Sequence, residues 1–275
     1  MCDLDGCGNQ QDLPEIKIDP EQRRLFMKGM ATLPLASVLA FPELASAAAG
    51  GLEDVSIRTP SGTGVSASLA LPRSTEKAPT ILLIHEWWGL NDQVKAVAAE
   101  FAKLGYIALA VDMYGGEVAT DAAGARSLMK GVTPESGAET LTTWVDWLKN
   151  HERSNGKVAT LGWCFGGGWS LNASLATSVD ATVIYYGRVN KTPEQLATLS
   201  SPVLGHFGTL DKSINKEMVN GFLASAKEAG KDEQILTYWY NADHAFANPT
   251  GARYDADDAA VAWERTLKFL GAHLS

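Results

Sequence analysis

The stretch Gly162-Trp163-Cys164-Phe165-Gly166-Gly167 decides the fold of this chain. An apolar run precedes it at residues 157–161 and a small-residue segment follows at 168–176, so the pattern predicts a strand, a sharp turn and a helix. This is the layout of a nucleophile elbow, with cysteine where serine usually stands. The turn is tight, and we expect a Cβ at Gly162 or Gly166 to clash with neighbouring backbone. The first N–H groups of the helix would face Cys164 and favour its thiolate.

A buried cysteine in a glycine-rich loop is the alternative interpretation of so short a motif. Two later segments favour a catalytic role. Residues 202–208 have the pattern of a strand with Asp211 just beyond it, and residues 234–240 have the pattern of another strand followed by His244. The order nucleophile, acid, histidine, each after a strand, is that of α/β-hydrolases.

The remainder of the chain alternates predicted strands with predicted helices. Strands are expected at 53–59, 65–71, 80–84, 106–111 and 181–186, and helices at 93–104, 121–130, 134–151, 214–229 and 255–270. Such alternation indicates a mostly parallel sheet with helices on both faces. The predicted fold class is therefore α/β, an α/β-hydrolase fold without a large lid.

From residue 52 to residue 274, the chain resembles the dienelactone hydrolases, also called carboxymethylenebutenolidases. The matching motifs are His85-Glu86-Trp87-Trp88-Gly89, Asp112-Met113-Tyr114, the Cys164 elbow, residues 208–211 and His244-Ala245-Phe246. The resemblance implies a Cys164–His244–Asp211 triad and hydrolysis of a small ester or lactone.

Each member of this triad has a distinct expected role. The Cys164 thiolate would attack a carbonyl carbon to form a thioester, which water then hydrolyses. His244 would act as general base and then acid, and Asp211 would hold its imidazole in the right tautomer. Asp243 is a less favoured alternative to Asp211. Of the five histidines, only His244 lies between the last strand and the last helix, so a structural role is expected for His206.

Glu86 and two backbone N–H groups complete the predicted site. A carboxylate directly after a buried strand is costly unless it is paired, so a salt bridge is one interpretation of Glu86. The resemblance implies instead that Glu86 lies beside the nucleophile and tunes its protonation. The N–H groups of Trp87 and Phe165 are the expected oxyanion hole, because this fold takes one donor from each of those loops.

The predicted substrate pocket departs from the family pattern. Trp88 and Tyr114 follow strand ends and suit an aromatic wall for a planar or cyclic substrate. Relatives that act on dienelactone carry two arginines for its carboxylate, but here those places hold Gly115-Gly116 and Ala247-Asn248. Arg188 or, less favourably, Lys212 could supply a cation instead, or both could simply be solvated.

The N-terminal segment has the features of an export signal. It contains the pair Arg23-Arg24, an apolar stretch over residues 29–41, and small residues at 45–47. We therefore predict a twin-arginine signal at 1–47, an α/β-hydrolase domain at 48–275, a periplasmic location, and the twin-arginine export machinery as a partner. An N-terminal amphipathic helix packed on the domain is the alternative. No stable membrane insertion is expected after removal of the signal.

Composition limits the classes of function that remain. With 275 residues the chain suits one sizeable domain, and its formal net charge of −9, without any basic run, argues against nucleic-acid binding. Cutting near Ala47 would leave Cys164 as the only cysteine. No cofactor or metal is expected. A general short-chain carboxylesterase is the alternative within the same class. A thiol redox protein would need a resolving cysteine, and a non-catalytic binding protein on this scaffold is a further alternative.

Overall fold

The structure, a computed structural model, describes residues 16–28 and 33–275. Cys2 and Cys7, and residues 29–32 of the predicted apolar stretch, lie outside these ranges. Within them, a central sheet is covered by helices on both faces. None of the described helices combines the length and the apolar character that crossing a bilayer requires.

The sheet has the strand order β1-β2-β4-β3-β5-β6-β7-β8. The first two pairings, β1 with β2 and β2 with β4, are antiparallel, and all later ones are parallel. The carboxyl ends of β3 to β8 therefore share one edge, where ligands bind in such sheets. The strands are β1 (Glu53–Arg58), β2 (Gly64–Ala70), β3 (Ala78–Ile84), β4 (Ile107–Val111), β5 (Ser154–Trp163), β6 (Ala181–Tyr185), β7 (Val203–Gly208) and β8 (Ile235–Tyr240).

Successive side chains of the central strands enter different hydrophobic clusters. In β3, Ile81 and Leu83 pack with residues of the helices α4 (Asp92–Lys103) and α10 (Ala256–Leu274). Leu82 and Ile84 pack instead with residues of α6 (Pro134–Asn150). This period-two alternation explains why the strand is apolar throughout: both of its faces are covered. The helices are α1 (Pro20–Met27), α2 (Leu35–Ala40), α3 (Pro42–Ala49), α4 (Asp92–Lys103), α5 (Ala122–Gly131), α6 (Pro134–Asn150), α7 (Phe165–Ala176), α8 (Pro193–Leu196), α9 (Lys216–Glu228) and α10 (Ala256–Leu274).

The predicted fold class is confirmed, and most predicted elements lie within a few residues of the observed ones. The main differences are at element ends. The helix after Cys164 begins at Phe165, because Gly166 and Gly167 belong to its first turn, and the last helix extends to Leu274. The four-residue helix α8 was not predicted from the pattern, and it is the only helix in residues 186–202 after β6.

The N-terminal segment packs on the domain in the described structure. Leu44 and Ala45 of α3 are completely buried, and Val38 and Leu39 of α2 join the same cluster as Phe101 of α4. This packing corresponds to the alternative that the sequence left open. Export by the twin-arginine route and cleavage near Ala47 stay predictions.

Candidate active site

The elbow carries Cys164 between the end of β5 and the start of α7. Cys164 has φ 54° and ψ −113°, a backbone conformation that residues other than glycine rarely adopt. A Cβ at Gly162 would collide with the carbonyl oxygen of Gly166, and one at Gly166 would collide with that of Ile84. The clashes expected from the sequence are therefore confirmed, and only glycine fits at either position.

The three predicted catalytic side chains lie in contact, with His244 between Cys164 and Asp211. His244 Nε2 lies 3.2 Å from Cys164 Sγ, and His244 Nδ1 lies 2.7 Å from Asp211 Oδ2. Asp211 and His244 are 3% and 2% exposed, whereas Cys164 remains partly exposed. A nucleophile within reach of a base, with the base oriented by a third group, is the geometry that nucleophilic catalysis requires.

Asp211 is held as an acceptor by three donors. Its Oδ1 accepts the backbone N–H of Ser213 at 2.7 Å and that of Ile214 at 2.9 Å, while Oδ2 faces the imidazole. Burial alone would raise the pKa of Asp211, but the hydrogen bond and charge of His244, together with these N–H groups, lower it below its usual value. Asp211 is thus kept ionised beside His244.

Asp243, the less favoured alternative, lies elsewhere. Its Oδ1 accepts the backbone N–H of His244 at 2.6 Å and lies 3.9 Å from Arg253 Nη1. The imidazole Nδ1 is directed at Asp211. Of the two carboxylates considered from the sequence, Asp211 is therefore the one placed to orient the ring.

Backbone strain is concentrated around these side chains. In the part of the chain that the structure describes, the non-glycine residues with positive φ are Cys164 (54°), Tyr186 (37°) and Ala245 (62°). The first two directly follow β5 and β6, and the third directly follows His244. Each such conformation costs about 1–3 kcal/mol, which the surrounding fold must offset. Strained residues of this kind gather at functional sites, and here they frame the Cys164–His244 pair.

Glu86 is partly buried and contacts two neutral polar groups. Its Oε1 accepts the Tyr186 hydroxyl at 3.3 Å and its Oε2 accepts Asn248 Nδ2 at 2.7 Å. Burial raises the pKa of Glu86, and these two hydrogen bonds with the charges of His244 and Arg253 oppose the rise only partly. The carboxyl group is thus paired through neutral partners.

Sequence reasoning missed Tyr186 and Asn248 as partners of Glu86. Tyr186 directly follows β6, and its position after a strand end is the sequence feature that could have identified it as a site residue. For Asn248, the sequence indicates only that an arginine expected from the family resemblance is missing there. The ring of Tyr186 also meets His244 edge-on, with centroids 5.2 Å apart, so it connects Glu86 to the imidazole.

His85 joins two loops at the edge of the site. Its Nδ1 donates to the Glu86 carbonyl oxygen at 2.5 Å, and its Nε2 accepts the Met113 N–H at 3.1 Å. Burial lowers the pKa of His85 to about 4, so the ring is neutral at physiological pH. The predicted oxyanion-hole N–H groups belong to Trp87, in the segment after β3, and to Phe165, which directly follows Cys164. Among the described residues, neither N–H has an acceptor.

The predicted pocket residues have different surroundings. Trp88 is partly exposed and its ring lies 4.9 Å from that of Trp87. Tyr114 is buried, and its hydroxyl donates to the Trp87 carbonyl oxygen at 3.2 Å. Tyr114 therefore holds the backbone of the segment that follows β3. Arg188 and Lys212 are both exposed.

His206 lies in a buried hydrogen-bond network away from Cys164. Its Nδ1 meets the Tyr240 hydroxyl at 2.8 Å and its Nε2 meets Thr266 Oγ1 at 3.0 Å. Burial lowers the pKa of His206 to about 3. This environment agrees with the structural role expected for His206.

Within residues 16–28 and 33–275 no group of three or more metal-ligating side chains occurs.

Comparisons with known proteins agree with this architecture. A family model described as dienelactone hydrolase family matches residues 65–274. A carboxymethylenebutenolidase of Pseudomonas putida is 27% identical over 233 residues, which is 79% of this chain and 95% of the relative. Carboxymethylenebutenolidase 1 of Cupriavidus pinatubonensis is 24% identical over 228 residues, covering 79% and 96%. The crystal structure of a dienelactone hydrolase-like promiscuous phosphotriesterase from metagenomic libraries has a TM-score of 0.74 at 23% identity, covers 82% of this chain and 99% of that one, and shares the fold.

Proposed function

The chain belongs to the dienelactone hydrolase family, and from that premise we propose that it hydrolyses a small ester or lactone with Cys164 as nucleophile. Family membership makes it a carboxylic-ester hydrolase. The observation that carries the assignment of Cys164 is the aligned set Cys164 Sγ, His244 and Asp211, with separations of 3.2 and 2.7 Å.

The proposed reaction has two halves. His244 takes the Cys164 proton, and the thiolate attacks the carbonyl carbon of the substrate. The N–H groups of Trp87 and Phe165 would bind the resulting oxyanion. When the intermediate collapses, the C–O bond breaks, the leaving oxygen takes a proton from His244, and a thioester remains.

Hydrolysis of the thioester completes the cycle. A water molecule gives a proton to His244 while its oxygen attacks the thioester carbon. The second tetrahedral intermediate expels the thiolate and releases the carboxylic acid. Asp211, which is kept ionised, stabilises the imidazolium in both halves and holds the ring in one orientation.

We assign Glu86 an indirect role in this cycle. It contacts Tyr186 and Asn248, and its charge acts on His244. An ionised Glu86 would favour the protonated imidazole, whereas a neutral Glu86 would not. This supports the expectation that Glu86 tunes the protonation of the catalytic pair, with His244 as the connection.

The surroundings of the site favour an uncharged substrate close to the bond that is cleaved. Cys164 packs against a cluster formed by the buried side chains of Trp87 and Ala125, and the apolar side chains of Ala119, Ala122 and Phe165 pack against the same cluster. The two places where the family resemblance implies an arginine hold Gly115-Gly116 and Ala247-Asn248, none of which carries charge. Arg188 is exposed and remains the candidate cation for a substrate carboxylate.

The test compares a dienelactone with a simple aryl ester. The unaltered chain and the variants Cys164→Ala and Arg188→Ala are assayed with both substrates. Turnover of either substrate that Cys164→Ala abolishes supports the proposal. Loss of only the lactone activity in Arg188→Ala identifies that arginine as the carboxylate partner.

Other results assign the alternatives. Cys164-dependent turnover of the aryl ester alone favours a general short-chain carboxylesterase. If neither substrate is turned over in a Cys164-dependent way, the proposal fails. A redox or non-catalytic binding role then takes its place, and alkylation of Cys164 across pH separates those two.

We also propose that residues 1–47 direct export to the periplasm by the twin-arginine route. The pair Arg23-Arg24 and the small residues 45–47 support this proposal. The test fuses the segment to a reporter that is active only after folded export. Replacing both arginines with lysine should abolish export, and export by the double-lysine variant would contradict the proposal.

A further inference from the structure

A cavity lies on the face of the sheet that α4 and α10 cover. Its volume is about 470 Å³, which is within the range of sites for small organic ligands, about 300–1,000 Å³. It is lined by Trp163 and Tyr185 at the ends of β5 and β6, by Val97 of α4 and Trp263 of α10, and by residues 33–36 and Leu39 of the N-terminal segment.

This cavity adjoins the catalytic centre without including the reacting side chains. Among the described residues that line it are neither Cys164 nor His244, nor the predicted pocket residues Trp88 and Tyr114. Glu86, Tyr186 and Asn248 do line it, and hydrogen bonds of 3.3 and 2.7 Å join them. This group therefore forms a partition, with the cavity on one side and the imidazole of His244 on the other.

The lining of the cavity is largely apolar. Leu33, Leu35, Val94, Ala259 and Trp263 are among its aliphatic and aromatic members. Polar side chains also line it, among them Gln93, Glu100 and the pair Glu86 and Asn248, which a hydrogen bond of 2.7 Å joins. A largely apolar cavity with a few polar groups, two of them carboxyl groups, matches a molecule with an apolar chain and a neutral polar head.

We propose that this cavity binds a single-chain amphiphile whose polar head is uncharged, such as a long-chain alcohol. The chain lies against Val97, Trp163 and Trp263, and the head hydrogen-bonds beside Asn248. An anionic head is disfavoured because Glu86 and Glu100 also line the cavity, and a further negative charge close to these carboxyl groups is costly.

The N-terminal segment is part of this site. Gln93 Nε2 donates to the Leu39 carbonyl oxygen at 3.2 Å and to Thr250 Oγ1 at 3.1 Å, so one side chain connects the segment to the loop that carries Asn248. Leu44 and Ala45 are completely buried just beyond it. The binding site therefore belongs to the chain that retains residues 33–49, and the full chain is the form to test.

The test uses 12-bromododecan-1-ol as the probe, because bromine quenches tryptophan fluorescence on contact and Trp163 and Trp263 line the cavity. Titration of the full chain should give saturable quenching, which dodecan-1-ol reverses by competition. The bromododecanoate anion at pH 8 should bind more weakly. Absence of saturable quenching, or tighter binding of the anion, would overturn the proposal.

Two substitutions on α10 localise the binding. Ala259→Phe projects a ring into the cavity and should weaken probe affinity by roughly tenfold or more. Val261→Phe makes a similar change at an exposed position of the same helix and should leave affinity unchanged. Leu35→Phe, in the N-terminal segment that also lines the cavity, gives an independent blocking variant if Ala259→Phe does not fold. Unchanged affinity in a folded blocking variant would contradict the assignment.

Alkylation separates this site from the catalytic one. Treatment of Cys164 with iodoacetamide should abolish ester turnover and leave probe binding intact. If alkylation abolishes probe binding, the probe occupies the catalytic cleft and the second site is disproved. Because this experiment measures probe binding, its outcome does not depend on whether the protein hydrolyses the dienelactone or the aryl ester proposed as substrates.

Discussion

Buried polar side chains in this molecule have two kinds of environment. Asp211 and His244 form a directed chain of hydrogen bonds that ends at the partly exposed Cys164 sulfur. His206 instead hydrogen-bonds to Tyr240 and Thr266, which in turn contact Arg265 and Tyr185. The two histidines are equally buried, so burial alone does not separate a catalytic base from a structural one.

The two histidines should therefore respond differently to substitution. We expect His244→Ala to lower turnover by roughly 10³-fold or more while the protein still unfolds cooperatively. His206→Ala should keep its turnover but lose about 1–3 kcal/mol of stability, because the Tyr240 and Thr266 hydroxyls lose a buried partner. Ester hydrolysis and urea unfolding of both variants measure this. A well-folded, inactive His206→Ala would show that the base is misassigned.

Glu86 should make folding stability depend on pH. Because burial raises the folded-state pKa of Glu86 above the ordinary 4.5, the unfolded chain loses this proton first as pH rises. The stability contributed by protonated Glu86 is therefore fully present below about pH 4.5, the ordinary pKa. It is lost as the pH rises through the higher pKa of the folded state. Glu86→Gln cannot ionise, so its Tm relative to the unaltered chain should increase from about pH 4 towards pH 8.

Thermal unfolding at a series of pH values measures this effect. The exposed Glu264→Gln is the matched control and should show no such trend. A Tm difference for Glu86→Gln that stays constant across pH would mean that the folded carboxyl ionises as an ordinary glutamate does.

Among the elements, β5 and α7 determine where the nucleophile lies. The turn between them is possible only because Gly162 and Gly166 let two backbones approach. The same contacts set the distance between α7 and β3, since a Cβ at Gly166 would meet the Ile84 and His85 carbonyl oxygens. Catalytic geometry and element packing therefore depend on the same glycines.

A pair of glycine-to-alanine substitutions tests this dependence. Gly162→Ala should destabilise the fold by about 3 kcal/mol or more, because the new Cβ meets rigid backbone. Gly221→Ala in α9 has open space around the added methyl group and should stabilise by about 0.5–1 kcal/mol. Urea unfolding of both variants is the measurement. Tolerance of Gly162→Ala would show that the elbow relaxes more easily than its contacts indicate.

At the scale of the whole molecule, the N-terminal segment extends the hydrophobic core on the α4 side. Leu33, Val38, Leu39, Leu44 and Ala45 are buried and belong to the same cluster as residues of α4 and α10. The proposal of an export signal and this packing concern the same residues. A segment that leaves the domain during export would expose the apolar surface that it now covers.

Substitution of Leu44 measures how much the docked segment contributes. In the full chain, Leu44→Ala should cost about 2–5 kcal/mol, because the side chain is completely buried. Leu104→Ala, at a 45% exposed position, should change stability by less than about 0.5 kcal/mol. Equal stability of Leu44→Ala and the unaltered chain, with the N-terminus verified by mass spectrometry, would show that the segment is not packed in solution.

Sequence pattern alone determined the fold class, the order of the elements and the identity of the three aligned side chains. Local patterns suffice there, because apolar periodicity identifies strands and helices, and parallel strands bring their carboxyl ends to one edge. Cys164, Asp211 and His244 each follow a strand, so their convergence follows from topology.

Only the tertiary structure decided which groups surround Glu86 and where the N-terminal helices lie. Glu86 meets Tyr186 and Asn248, which are 100 and 162 positions away in sequence, and no periodicity encodes such a pairing. The cavity behind them depends on residues 33–39 and α10 lying on the same face of the sheet. Contacts between distant segments depend on side-chain shape and packing in three dimensions, and a linear pattern does not contain that information.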